Sequence, residues 1–495
     1  MRQNLLCLFL LISFICNAAD YQDNRLFLEV NLASGSGIKL KTLSNCQISV
    51  TEQDDLMSRI FTGSIQISLL NPESLSYYGI IEQQKVVEDN EEHPEAITRS
   101  FFSWVKQELI IKKELLYFSS SSFSTRIDAE NYATLNNIPY SKIAEMPLIN
   151  STVRIINSEN ETFYMETPLK IHSTSDVFIN GSSLPYSGSF VLKTVKGKLI
   201  LNQYLELEEY LSGVVPNEIG NNSPFEALKA QAVAARTHAI TLLVNNRHKA
   251  DGFDLCNDTH CQVYKGKYLQ NLLIRKAIDE TSAEIILTDN YIADATYHSS
   301  CGGKTDASSA IWKGKPVSHL NGVTCIVDAD SIDLSSEAGA RYWINAKSIF
   351  TNMNSWERGA LYWEKKISSK DVAKNIGLNY INRIEILERS RSGRIVSIRF
   401  SGNKQVLLDN EYKIRQAFNS VLSSFFFIEG TYEDVDGAVV VKPRQVISLK
   451  GKGAGHGVGM CQIGAIRMAR AGATCLEILQ HYYPGTQIVK DWKDE

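Results

Sequence analysis

Apolar and polar positions alternate at the start of the chain. Leu26, Leu28, Val30 and Leu32 interleave with Phe27, Glu29 and Asn31, the period of a strand with one buried face. Ile65, Ile67 and Leu69 repeat the pattern. From Arg25 to about Glu166 the texture is β-rich. The acidic stretch Glu82 to Glu95 reads as a surface loop, Ser119 to Ser122 as a flexible serine run, and Arg126 to Leu135 as a short helix. Asn180-Gly181 marks a hairpin turn, and the texture changes there. Phe190-Val191-Leu192 and Lys198 to Leu201 read as strands, followed by a helical, small-residue block from about Leu205 to Asn246. Mixed strands return over Glu284 to Ile311. Arg383 to Glu429 then reads as strand, turn at Ser392-Gly393, strand, and a helix around Tyr412 to Asn419. This order predicts an α+β protein with a β-rich region over 20–180 and a mixed region over 181–495.

Composition narrows the class of partner. The 495 residues carry a net charge of −4, which gives no electrostatic reason for a nucleic-acid partner. The N-terminus has one cation, an apolar run from Leu5 to Ile15, and small residues through Ala19. That layout predicts a cleavable secretory signal over 1–19, since the run falls well short of the ~20 residues of a membrane span. No other stretch is long and apolar enough to span a bilayer. Of nine cysteines, Cys7 and Cys16 would leave with the signal, and the odd remainder requires at least one thiol to be free, metal-bound or intermolecular.

The helical block carries the candidate chemistry. Ser223-Pro224-Phe225-Glu226 predicts a capped helix start. The helix that follows is rich in alanine, and Lys229 and Arg236 lie two turns apart on one face. Two long cations over small residues read either as charges aimed into a cleft or as a solvated basic stripe. Glu218 sits between Val214-Val215 and Ile219. Apolar surroundings raise a carboxyl's pKa, as a general acid near neutral pH requires. The plainer alternative is a local cap or ion pair.

The stretch Tyr210-Leu-Ser-Gly-Val-Val-Pro-Asn-Glu218, followed by Pro224-Phe-Glu-Ala-Leu-Lys-Ala-Gln-Ala-Val-Ala-Ala-Arg236-Thr, resembles the central signature of the stage II sporulation protein D family, or SpoIID/LytB domain. Three later stretches agree: Cys256 to Gly266, Tyr297-His298-Ser-Ser-Cys301-Gly302-Gly303-Lys-Thr305, and Gly451 to Gly464 with His456 at its centre, running on to His481-Tyr482-Tyr483-Pro484-Gly485-Thr486. The resemblance covers roughly Pro185 to Lys490. It implies a lytic transglycosylase acting on peptidoglycan strands stripped of stem peptides, in the periplasm or cell-wall space, with Glu218 as catalytic acid and base. It also implies an α+β catalytic domain with a helix-lined cleft over 181–495, and an accessory region before it. Within that region, the serine run and the 126–135 helix resemble a sporulation-related repeat that binds stripped glycan, although an ordinary β-rich domain is the plainer reading.

Further site residues follow from the resemblance. Removing the stem peptide exposes the lactyl carboxylate of muramic acid, and Lys229 and Arg236 are the expected partners for it. Tyr482 and Tyr483 are expected to stack on sugars or to support the C-terminus, and His456 to bond substrate or hold its glycine-rich loop. Cys256, His260 and Cys261, with His248 nearby, are candidate ligands of a structural zinc, and His298 with Cys301 is a second candidate pair. A Cys256–Cys261 disulfide is the competing reading. No cofactor is expected for the chemistry itself. Two rivals remain: a non-catalytic amidase enhancer that works with other wall or septal proteins, and a zinc-dependent wall amidase, against which the lack of a His-Glu-x-x-His sequence counts.

Overall fold

The computed structural model describes residues 20–22, 25–42, 46–52, 58–69, 77–87, 97–105, 108–123, 126–136, 138–139, 143–146, 152–266, 271–288, 291–346, 353–429, 438–442 and 444–490. The proposed signal segment 1–19 lies outside them. The fold is α+β and forms two compact units. One is built from residues 32–203, the other from residues 1–31 together with 204–495. No helix among the described residues is long and apolar enough to cross a membrane.

The 32–203 unit is an antiparallel assembly. Strand Gly37–Thr42 pairs with Ser64–Leu69, which pairs with Thr152–Ile156, which pairs with Thr162–Glu166. The alternation read from the sequence buries one face, with Ile38, Leu40, Ile65, Ile67, Val153 and Ile155 nearly inaccessible. A second sheet takes the order Ile143–Met146, Tyr77–Val87, Glu108–Phe123, Ile97–Val105. Helix Arg126–Leu135 clusters with it through Ala129, Ala133 and Ile143. Two expectations fail here. Glu82 to Val87 extends a strand rather than a loop, and 88–96 lies outside the described residues. The serine run is the end of strand Glu108–Phe123, with Ser122 opposite Gly79. Ladder pairing uses backbone groups, so a run of small polar side chains does not prevent it.

Asn180 and Gly181 do form a turn, both with positive φ. The strands that they join, Leu169–Ile179 and Pro185–Val195, pair with each other, Val177 opposite Tyr186. The compact division falls after Gln203.

In the other unit, helices Leu207–Ile219 and Phe225–Val244 stand at the centre. Ala230, Val233 and Ala234 pack into one apolar cluster with Ile286, Ala295, Met460, Ile463 and Ile478. Alanine at these positions lets neighbouring backbone approach the helix closely. Strand Tyr297–His298 runs parallel to Met460–Cys461, which brings two sequence motifs side by side. A separate core forms where Ile381–Arg389 and Ile395–Gly402 pair and helix Glu411–Ala417 covers them, as the strand–turn–strand–helix reading predicts. The side-chain cap expected from Ser223 does not form. Pro224 is the N-cap and no side chain caps it. Ser223 instead donates to the Ile219 carbonyl at 2.7 Å, and Glu226 accepts from the Cys475 backbone N–H at 2.7 Å.

Candidate active site

Glu218 is the penultimate residue of helix Leu207–Ile219. Its position follows from one glycine upstream. A Cβ at Gly213 would lie 2.5 Å from the Tyr264 ring and 2.6 Å from the Gly266 carbonyl, so only glycine lets the 262–266 segment lie on this helix. That segment then delivers the Val263 N–H to Glu218 Oε1 at 2.7 Å. The Tyr264 ring stacks on Tyr210 with centroids 5.1 Å apart.

The carboxyl meets a backbone N–H from the second motif and side chains from the third and fourth. Tyr297 and Gln462 lie beside Glu218, and they and His238, on the alanine-rich helix, act on its charge. The single hydrogen of the Tyr297 hydroxyl goes to Gln262 Oε1 at 2.7 Å. Gln462 Nε2 donates to Gln231 Oε1 at 3.2 Å, and Gln262 Nε2 donates to the Ala235 carbonyl at 3.2 Å. Burial raises the Glu218 pKa above the ordinary carboxyl range, although the Val263 N–H opposes the shift. The last turn of a helix carries partial negative charge, which also disfavours a carboxylate there. The group is therefore poised to keep a proton.

The two expected cations are not free for substrate. Arg236 is fully buried. Its Nε and Nη2 donate to Glu208 Oε1 and Oε2 at 2.9 and 2.7 Å, and its Nη1 to the Glu284 carbonyl at 3.1 Å. This fork joins the two central helices rather than facing a ligand. Lys229 pairs with Glu226 at 2.7 Å and approaches Glu280 at 3.8 Å. The sequence pattern placed both cations on one face, but it did not show that carboxylates distant in sequence occupy them.

The C-terminal candidates are supporting groups. Tyr482 is buried with its hydroxyl 3.2 Å from Cys325 Sγ. Tyr483 is buried and donates to the Thr296 carbonyl at 2.8 Å. His456 Nε2 meets the Tyr297 carbonyl at 3.0 Å, and Nδ1 accepts from the Val458 N–H at 3.1 Å. Burial drives this ring well below the ordinary histidine range, so it is neutral and both nitrogens hold the loop. The residues that sequence reasoning missed as site members, Tyr297, Gln462, Gln262 and His238, all stand inside the motifs or the helix quoted above. Their positions within those stretches were the available signal.

His248, Cys256, His260 and Cys261 place their donor atoms within 4.8 Å of one another. Cys261 Sγ lies 3.3 Å from His248 Nε2 and 3.9 Å from His260 Nδ1, and Cys256 Sγ lies 3.7 Å from the same Nδ1. A tetrahedral zinc with bonds of about 2.3 Å to sulfur and 2.0–2.1 Å to nitrogen sets donor–donor edges of roughly 3.4–3.8 Å, so the set fits. His248 Nδ1 is 3.3 Å from Asp251 Oδ2, the outer partner that such a ligand needs. One contact opposes the fit. Arg247 Nη2 sits 2.9 Å from His260 Nε2, which puts the ring hydrogen on Nδ1 until that exposed contact is given up. Cys256 and Cys261 are both free thiols. Hydrogen bonding from Cys261 pulls the Cys256 thiol down to about 5, while the same bond pushes Cys261 up.

Comparison with known proteins agrees with the motifs. Residues 195–288 match the family model described as stage II sporulation protein, and residues 306–459 match a domain of unknown function, DUF8618. The chain is 30 % identical over 358 residues to an uncharacterized protein of Brachyspira hyodysenteriae, spanning 71 % of this chain and 86 % of that one. It is 30 % identical over 299 residues to the amidase enhancer of Bacillus subtilis, spanning 56 % of this chain but 40 % of the relative. It is 29 % identical over 304 residues to stage II sporulation protein D of Bacillus subtilis, spanning 58 % and 76 %.

Proposed function

Because the chain belongs to the stage II sporulation protein D family, we propose that it is an exported lytic transglycosylase that remodels the cell wall by cleaving peptidoglycan glycan strands. The observation that supports this most is the carboxyl of Glu218, held by the Val263 N–H where four motifs meet, with its charged form disfavoured by burial. Glu218 gives its proton to the oxygen between N-acetylmuramic acid and N-acetylglucosamine. The bond from that oxygen to the anomeric carbon breaks, the electron pair leaves with the oxygen, and the carbon becomes cation-like. The muramoyl 6-hydroxyl then attacks this carbon while the Glu218 carboxylate takes its proton. A 1,6-anhydro ring closes, no water is consumed, and the acid is restored. One carboxyl therefore suffices where hydrolases generally use two. The Val263 N–H orients that carboxyl, with Tyr297 and Gln462 beside it.

Zinc at His248, Cys256, His260 and Cys261 has a structural part in this reading. Bound by these four residues, it would pin the 256–266 segment whose Val263 N–H holds the acid. The preferred substrate is glycan lacking stem peptides. Recognition of its lactyl carboxylate falls to groups other than Arg236, whose donors are committed to Glu208 and Glu284.

The kinship with an amidase enhancer supports a second reading, a glycan-binding helper of other wall hydrolases. Mass spectrometry of stripped and intact glycan after incubation separates the alternatives. Anhydromuramoyl ends are expected. Unchanged strands would favour the helper, and released stem peptides an amidase.

A further inference from the structure

Three cysteines far apart in sequence meet at a second place in the same unit. Cys301, Cys325 and Cys461 bring their sulfurs within 4.8 Å of one another, Cys301 and Cys461 buried and Cys325 half-buried. Hydrogen-bond donors converge on these sulfurs. Cys461 Sγ accepts from the backbone N–H groups of Cys301 and Gly464, each at 3.3 Å. Cys301 Sγ accepts from the Gly303 N–H at 3.3 Å, and the Tyr482 hydroxyl lies 3.2 Å from Cys325 Sγ. Donors aimed at sulfur favour thiolates, yet three thiolates crowded away from water repel one another and lose solvation. A dication relieves both costs.

His298 supplies an independent observation. It is 4 % exposed and pairs in register with Cys461. Its Nδ1 lies 3.1 Å from the Val458 carbonyl oxygen. A carbonyl only accepts, so Nδ1 carries the ring hydrogen and Nε2 keeps its lone pair. That Nε2 is buried and has no hydrogen-bond partner among the described residues, and the ring stands just outside the set of sulfurs that lie within 4.8 Å of one another. A histidine that donates one nitrogen to a backbone carbonyl and leaves the other bare has the posture of a metal ligand.

We propose that Cys301, Cys325 and Cys461 bind a second, buried divalent metal ion of the zinc class, with the bare nitrogen of His298 turning in as the fourth ligand, separate from the cluster at His248, Cys256, His260 and Cys261. Soft thiolates with an imidazole select that class. The charges also balance. Three thiolates and a dication leave −1, and Arg467, in the last turn of helix Gln462–Arg470, acts on all three sulfurs and supplies +1. The ion ties the 297–303 segment to the 460–464 segment, and so fixes Tyr297 and Gln462 beside Glu218. The site stands whether or not Glu218 cleaves glycan, because its test reads metal and not catalysis.

The test uses the full chain carrying Cys256→Ser and Cys261→Ser, so that only the second cluster keeps its thiolates. Metal is counted in the protein as isolated, and the ion is then exchanged for cobalt(II). One equivalent is expected, with thiolate-to-cobalt charge-transfer absorption and a tetrahedral visible spectrum. Adding Cys325→Ser should weaken binding by more than the roughly 10–100-fold that follows loss of an outer partner. The proposal is overturned if the folded double variant holds no ion, or if its cobalt form shows no charge transfer. It is equally overturned if the isolated protein yields a disulfide-linked peptide between any two of Cys301, Cys325 and Cys461. Should the double variant fail to fold, the unaltered chain must carry two equivalents of metal, and a count of one or none refutes the second site.

Discussion

Replacing Arg236 by Met separates a structural cation from a substrate-binding one. The guanidinium is fully buried, and Glu208, its bidentate partner, is itself 7 % exposed. Deleting one member of a buried pair leaves the other charge uncompensated and costs about 3–5 kcal/mol. The Glu284 carbonyl also loses a donor, which adds about 1 kcal/mol. At a slope of about 3 kcal/mol per molar urea, a loss of about 4–6 kcal/mol lowers the unfolding midpoint by roughly 1.3–2 M. The double variant Arg236→Met, Glu208→Leu removes both charges and fills the space, and should recover most of that loss. Urea unfolding of the four proteins of this cycle measures the coupling directly. The reasoning is refuted if the double variant is as unstable as Arg236→Met alone. It is refuted too if the double variant, folded and stable, loses cleavage of stripped glycan while keeping that of intact glycan. That result would return Arg236 to the lactyl carboxylate.

Three other outcomes are expected. Gly213→Ala drives a methyl into the Tyr264 ring and the Gly266 carbonyl, an overpacking of about 1–3 kcal/mol, and should lower kcat more than it raises KM because the Val263 N–H leaves Glu218. An unchanged kcat would contradict the link. Glu218 binds its proton more tightly folded than unfolded, so below the ordinary glutamate value of 4.5 both states are protonated and the group has no effect. As pH rises through the raised value, the folded state pays for a buried charge and stability falls. The gain in melting temperature of Glu218→Gln over the unaltered chain should therefore grow with pH, and a flat difference would contradict the burial argument. Chelator treatment should speed amide hydrogen exchange over 256–266 and lower activity, and an exchange pattern insensitive to chelator would argue against zinc there.

Strand periodicity, the two central helices and the strand–turn–strand–helix block were legible because each depends on local pattern. The position of Glu218 on a helix next to an apolar stretch was legible for the same reason. What could not be read was occupancy. Arg236 looked like a cation over small residues, but Glu208, 28 residues earlier, takes two of its nitrogens. The serine run failed as a loop because its partner strand lies some 40 residues upstream. The meeting of Cys301 with Cys461 depends on a parallel pairing between segments about 160 residues apart, and Cys325 joins them through its N–H bond to the Gly303 carbonyl, which no spacing rule announces. Local periodicity finds elements, whereas ion pairs and ligand sets are settled by how those elements pack.

The central claim is that one buried carboxyl carries both proton transfers. Stripped glycan strands incubated with the purified chain and with Glu218→Gln, followed by quantification of anhydromuramoyl ends, test it most directly. The account predicts steady formation of these ends by the unaltered chain and a fall to background in the amide variant, with both proteins folded and metal content equal. Equal rates from the two proteins would contradict it.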